Sequence, residues 1–581
     1  MGRTASALQP GTAPKSKGKT EEERPGDGFR EIAEAVVVAF VAALVARGFE
    51  AQAFVIPTGS MAPTLLGRHK ELTCPQCGFV YTINASDEVE SRGHPRRVDS
   101  GVCVNCRYQT RGLTSSPSFK GDRILVSMFP YDLPFLPGAS PPERWDVVVF
   151  RYPEEPEVSY IKRLVGLPGE TIRIRHGDVY VRPPGGQGFS LARKPLEHQS
   201  SMQITVYDDR YRPKALEGLD AWRRWRPAAA DAWKEDASAP ATFRSAAATA
   251  EWAELRYRHL APDPEQWESL EQNEAPLRGP RSSLITDFYS YNTNLSSGDS
   301  DLVQPHGEDA ERAWLQPHWV GDLTLQADVQ ADAAAGEVRL ELIKGGVTHR
   351  ATIDVATGRA RLDRGDAALK EFATALRGPG SHHVELANVD DRLTLLVDGR
   401  APAEEGEGAE YDRGDDNPVP TAMDLSPAAV AIRGGTFRVS NLVLKRDIYY
   451  TQYPGRHDYG STVFEDRTPR NAAELLDVLA DPARFPGFGK GRSHDYQLGD
   501  DRYMMLGDNS PRSKDSRGWD SSDTWDTSNR QSWEVPRNLV TGKAFFVYWP
   551  HGVPFGPTVG VMGGDTRLPF RPYFERMRWI R

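Results

Sequence analysis

Three rhythms of apolar and polar residues divide the chain. Near the start, "IAEAVVVAFVAALVARGFEAQAFVI" is almost continuously apolar from Ile32 to Ile56, a span of 25 residues. Its uncharged part, Ala35 to Ala46, covers only 12 residues, roughly 18 Å of helix against a hydrocarbon core of ~30 Å. The whole run reaches across a bilayer if Glu34, Arg47 and Glu50 lie near the interfaces. A cleaved secretory signal ending at Ala51-Gln52-Ala53 is the rival reading. From about 119 to 193, "DRILVSMF", "RWDVVVFRY", "SYIKRLVGL" and "GDVYVRP" are short alternating or buried runs split by Pro, Gly and Asp, the pattern of strands. Between roughly 201 and 300 this order breaks: "LDAWRRWRPAAADAW" suggests short helices in an irregular segment. From about 315, "VGDLTLQADVQ", "GEVRLELIKGG" and "HHVELANVDDRLTLLVDGR" repeat a half-buried strand rhythm with Gly and Asp turns, which predicts a β-sandwich.

Composition changes this picture little. At 581 residues several domains are expected, and a net charge of −10 excludes nucleic acid as a default partner, because phosphate binding needs clustered Lys and Arg. Residues 1–30 are almost empty of large apolar side chains and read as a disordered tail. Their basic residues (Arg3, Lys15, Lys17, Lys19, Arg24, Arg30) place the N-terminus in the cytoplasm and everything after about residue 56 outside it.

All four cysteines fall in two C-x2-C knuckles, Cys74 with Cys77 and Cys103 with Cys106, separated by 25 residues. Four thiolates in this arrangement fit one tetrahedral zinc and leave no open position, so the metal would be structural. Disulfides are the competing reading for a segment outside the cytoplasm.

Candidate chemistry lies in three separated stretches: "PTGSMAPT" around Ser60, "YIKRLVGLPGE" around Lys162, and "YMMLGDNSPRSKDSRGW" from Tyr503 to Trp519. No G-x-S-x-G elbow is present. A serine hydroxyl needs a base, and a lysine can serve only if burial lowers its pKa from ~10.4. Lys162, inside an apolar strand, is where such a base would sit, with Arg163 pointing to the other strand face.

Together with "GDRILVSMF", "RWDVVVFRYPEEP" and "VPRNLVTGKAFFVYW", these stretches resemble the signature boxes of the type I signal peptidases, membrane-bound serine proteases that remove secretory signal sequences. The resemblance implies Ser60 as nucleophile and Lys162 as general base. It implies an oxyanion hole from the Ser60 N–H and the Thr58 hydroxyl, with Gly59 allowing close approach. It implies that Ser513 orients the lysine amine, that Asp515 and Arg517 form a buried pair, and that Asp508 and Asn509 shape the preceding turn. No cofactor is implied for catalysis. The implied partners are exported preproteins with signal peptides and the lipid bilayer, at the cell (inner) membrane, with a single pass and an extracytoplasmic catalytic domain.

The expected fold is mainly β. A disordered tail (1–30) and a transmembrane anchor (31–56) precede a catalytic core in three pieces (57–73, 107–200, 447–581). The core is interrupted by a zinc-ribbon-like insert (74–106), an irregular Trp- and Ala-rich insert (201–314), and a β-sandwich (315–446) whose pattern resembles concanavalin-like jelly rolls related to laminin-G domains. The rival function is an anchored envelope protein whose insert binds a glycan or protein ligand beside a vestigial peptidase core. A self-cleaving serine–lysine repressor-type peptidase is disfavoured by the apolar N-terminal run.

Overall fold

The strand Glu155–Gly166 lies near the middle of an eight-stranded sheet and carries Lys162. The computed structural model describes residues 32–41, 51–90, 97–128, 131, 140–229, 231–246, 250–274, 276, 278–296, 318–402, 408–413, 419–452, 472–484, 494–519, 530–554, 558–561, 564–567 and 570–581. The expected tail, 1–30, lies outside them. The chain divides into two units, Met1–Gln52 and Ala53–Arg581. In the first, residues 32–41 form an exposed helix.

The anchor expected over 31–56 is not one helix. Residues Ala51–Val55 form a strand of the main sheet, and Phe54 and Ile56 pack with Met61 and Leu65 in its core. Alternation in "AQAFV" sends Phe54 inward and leaves Val55 half exposed. Among the described residues, no helix is long and apolar enough to cross a membrane.

The main sheet runs Ala51–Val55, Arg123–Ser127, Val540–Trp549, Val147–Tyr152, Glu155–Gly166, Arg502–Leu506 and Val535–Pro536, with Arg578–Trp579 also paired to Val540–Trp549. Val147–Tyr152 is buried on both faces over its first four residues, as a central strand of β-branched and aromatic side chains should be. Its register sets Val148 opposite Lys162 and Val147 opposite Arg163. On the far side Leu506 pairs with Arg163, so the chain leaves the sheet at Gly507 beside the lysine. A small four-stranded sheet, Ser190–Leu191, Asp178–Arg182, Thr171–Arg175 and Asp495–Gln497, completes the core.

The insert is a two-sheet sandwich with one continuous apolar core. Its strands come from 323–446 and from the segment 201–314 that the sequence marks as irregular. Ile204–Asp208, Trp233–Glu235 and Phe243–Ser245 join one sheet, and Trp225–Pro227 and Ala253–Tyr257 extend the other. Trp225, Trp233, Phe243, Leu255 and Tyr257 are buried in that core. These five strands of the segment read as irregular are therefore part of the sandwich: their buried aromatic residues are core side chains on strands too short to show a period.

Buried ion pairs join the sandwich to the core. Lys194 binds Asp390 at 2.6 Å and Asp447 at 2.9 Å, all about 2% exposed. Asp178, Asp322 and Asp390 converge nearby and are compensated by Lys194, Lys344 and Arg413. Removing one member of such a pair costs ~3–5 kcal/mol, because a charge is left buried without its partner.

Candidate active site

The serine sits on a loop closed at its base by main-chain hydrogen bonds, Ile56 N to Asp122 O at 2.9 Å and Arg68 N to Pro57 O at 3.0 Å. The Asp122 carboxylate also accepts from Leu66 N at 2.8 Å. Gly67 is required here, since a Cβ would fall 2.2 Å from the Thr58 carbonyl carbon. This loop presents Ser60 to the lysine strand, where Lys162 Nζ donates to Ser60 Oγ at 2.7 Å and to Ile161 O at 3.0 Å.

Burial lowers the Lys162 pKa to about 8, against the opposing pull of Asp515 and Asp508 and with help from Arg517. The reason burial prevails is visible in the pairing of those carboxylates. Asp515 holds Arg517 through two contacts, 2.8 and 2.6 Å, with both side chains fully buried. Asp508 does the same with Arg163, at 2.7 and 2.6 Å. Each negative charge reaches the lysine already offset by a guanidinium. By strand alternation the amine lies on the face of Tyr160 and Leu164, whose apolar cluster includes Val148, Phe150 and Met505. Ile161 and Val165 belong to the other face.

The loop after Gly507 is a hub. Asp515 accepts from Gly507 N at 2.9 Å, and Arg517 donates to Thr451 O at 2.6 Å and to Ser510 Oγ at 2.7 Å. Asn509 grips the Ser60 loop directly: its Nδ2 donates to Gly59 O at 3.0 Å and its main-chain N–H to Ser60 O at 3.1 Å. Ser513 is buried, but among the described residues its hydroxyl makes no hydrogen bond, so the contact to the lysine amine expected from the sequence is not formed. The hydroxyl lies against Gly507, where an added Cβ would meet it at 2.1 Å. Thr58 is exposed, whereas Gly59, whose carbonyl Asn509 holds, is buried.

Sequence reasoning missed Arg163. It sent this side chain to the far face without a partner, whereas it is fully buried and also donates to Trp145 O at 2.7 Å and Thr64 Oγ1 at 3.2 Å. The available signal was electrostatic: an arginine in an apolar strand needs a carboxylate. Tyr291 and Asn292 of the insert, which touch Gly59 and Asn509, were also missed.

The four cysteines come together from two like knuckles. Cys74 N bonds Phe79 O and Gly78 N bonds Cys74 O; Cys103 N bonds Tyr108 O and Arg107 N bonds Cys103 O. Gly78 and Arg107 occupy equivalent left-handed positions, at φ 74° and 66°. The thiols are unbridged and buried, with Cys74–Cys106 Sγ atoms 3.5 Å apart and Cys77–Cys103 Sγ atoms 3.7 Å apart. A tetrahedral zinc with Zn–S near 2.3 Å needs sulfurs about 3.8 Å apart, whereas a disulfide needs about 2.05 Å. The arrangement fits the ion.

Residues 102–218 match the family model described as signal peptidase, peptidase S26. That segment contains Lys162. The chain is also 54% identical over 59 residues to signal peptidase I of Pseudomonas aeruginosa, covering 9% of this chain and 21% of the relative. It is 31% identical over 96 residues to signal peptidase I V of Bacillus subtilis, covering 16% and 49%. With signal peptidase I of Rickettsia typhi it shares 30% over 139 residues, covering 24% and 38%. The chain thus spans between 21% and 49% of the length of these relatives. Among solved structures it is similar to the carbohydrate binding module CBM66 from Bacillus subtilis, at 10% identity over 38% of this chain and 94% of the module. It is similar to the Caenorhabditis elegans galectin LEC-6 at 12% identity over 21% and 83%. TM-scores of 0.21 and 0.16 make these likenesses too slight to bear on function.

Proposed function

We propose that the protein is a signal peptidase that cleaves exported preproteins by a serine–lysine mechanism. The observation that carries this reading is the 2.7 Å contact between a buried lysine with a lowered pKa and the Ser60 hydroxyl. Neutral Lys162 takes the hydroxyl proton as Oγ attacks the scissile carbonyl. The oxyanion is held by the Ser60 N–H and the Thr58 hydroxyl, each donor worth about 3–4 kcal/mol. The resulting ammonium then protonates the departing amine, leaving an acyl-enzyme, and the same amine activates the water that hydrolyses it. Asp515–Arg517 and Asp508–Arg163 hold the loops around the dyad. The substrate segment follows an apolar helix and carries small residues at −1 and −3. Attachment to the bilayer falls to the apolar sequence ahead of Ala51, and the cysteine cluster holds a structural zinc. An intact dyad counts against a vestigial core.

Wild type, Ser60→Ala and Lys162→Ala should be compared in detergent on a preprotein with an A-x-A site. Wild type is expected to release the mature protein, and both variants to fold and fail. Undiminished cleavage by either variant would reject the mechanism.

A further inference from the structure

The inserted segment 289–293 reaches the nucleophile loop. The Asn292 side chain forms a reciprocal amide pair with Asn509: Asn292 Nδ2 donates to Asn509 Oδ1 at 2.7 Å, and Asn509 Nδ2 donates to Asn292 Oδ1 at 2.8 Å. Both side chains are 2–3% exposed. Asn509 Nδ2 spends its other proton on Gly59 O, at 3.0 Å. Beside them the Tyr291 ring lies on Gly59, so close that a Cβ there would fall 2.2 Å from Cε1.

Gly59 C=O and Ser60 N–H belong to one peptide unit, and a planar trans peptide points the two in opposite directions. Whatever holds the carbonyl therefore aims the N–H. A carboxamide can present either its oxygen or its NH2 to a given point. Oxygen against Gly59 O would repel it. The reciprocal pair makes that flip unfavourable, because Asn292 would then meet oxygen with oxygen and NH2 with NH2.

We infer that Asn292, with Tyr291 packed on Gly59, is a positioning residue contributed by the insert, which through Asn509 fixes the direction of the Ser60 N–H that stabilises the oxyanion. The inference rests on the serine–lysine reading. It makes the insert part of the catalytic apparatus, although Asn292 itself touches neither substrate nor reacting atoms.

The test compares wild type, Asn292→Ala and the equal-sized Asn292→Asp, which accepts but cannot donate to Asn509. Asn292→Ala should lower kcat about tenfold to a hundredfold, less than the ~10²–10³ lost when an oxyanion donor is removed outright, with KM unchanged. The pH midpoint of kcat should stay in place, because the dyad is not altered. Binding of a peptide aldehyde, which forms a tetrahedral adduct on serine, should weaken by the same factor. Asn292→Asp should fall in the same direction. In an Asn509→Ala background, Asn292→Ala should add little, since the two act as one device. Wild-type kcat and aldehyde affinity in both Asn292 variants, or full additivity with Asn509→Ala, would overturn the inference. So would losses explained by unfolding, shown by thermal melts tracking the activity. If the wild type itself cleaves nothing, or Ser60→Ala still cleaves, it is the serine–lysine reading that has failed instead.

Discussion

A buried amine at about pKa 8 is neutral in roughly a tenth of molecules at pH 7. The active form is the deprotonated one, so activity should rise with pH. We expect kcat/KM to climb about tenfold per unit below pH 8 and to level above it, as measured by a pH–rate profile on a preprotein whose own ionisation is flat there. A flat profile from pH 6 to 9 would remove Lys162 as base. The sign for stability is separate. The folded pKa is depressed from 10.5, so the unfolded chain binds more protons between about pH 8 and 10.5. Burying the ammonium costs about 3 kcal/mol below that window, and the cost fades as pH rises through it. Ser60 and Lys162 are singled out in the sequence by the joint resemblance of three separated stretches to the signal peptidase boxes, and the fold brings their side chains to 2.7 Å. Arg163 with Asp508 could not, since its partner lies 345 positions away. Nor does the sequence of the "GDNSPRSKDSR" turn reveal which way the Ser513 hydroxyl faces.

At the level of elements, the meeting of the four cysteines was legible and much of the sandwich was not. Two C-x2-C spacings suit one tetrahedral ion whatever fold surrounds them. Three-residue strands such as Trp225–Pro227, Trp233–Glu235 and Phe243–Ser245 carry one buried aromatic each and no period, so only their neighbours in the sheet define them. The apolar run at the N-terminus misleads in the opposite way: its last residues obey strand alternation once Phe54 finds the core. In the ribbon, hairpin His69–Thr73/Val80–Asn84 and the strand pair Val98–Val102/Gln109–Thr110 meet at the sulfurs. Folded protein should release one zinc per chain to a chelator, expose four reactive thiols, and lose thermal stability as these hairpins part. Metal analysis with thiol titration reads this directly, and oxidised thiols without metal would favour disulfides.

For the whole molecule, the sandwich does not hang from the catalytic core as a separable module. Its 289–296 segment contacts the Ser60 loop, pairs as Leu295–Ser296 with the strand Val98–Val102 beside the cysteines, and accepts a bond from Val102 N to Thr293 Oγ1 at 2.9 Å. Lys194 of the core would also lose Asp390 with the insert. Deleting 201–446 should therefore depress preprotein cleavage at least tenfold and lower the melting temperature of what remains; a deletion that cleaves at the wild-type rate would show the insert to be detachable. The sequence order suggests an interruption, and only the folded contacts show a dependence. The grip of Asn509 on the Gly59 carbonyl joins positions 450 residues apart. During translation, Ser60 leaves the ribosome long before Asn509, and the cysteine knuckles and sandwich are made in between. A nascent chain carrying Ser60 and Lys162 therefore lacks the contact to the Gly59 carbonyl until synthesis has passed Asn509.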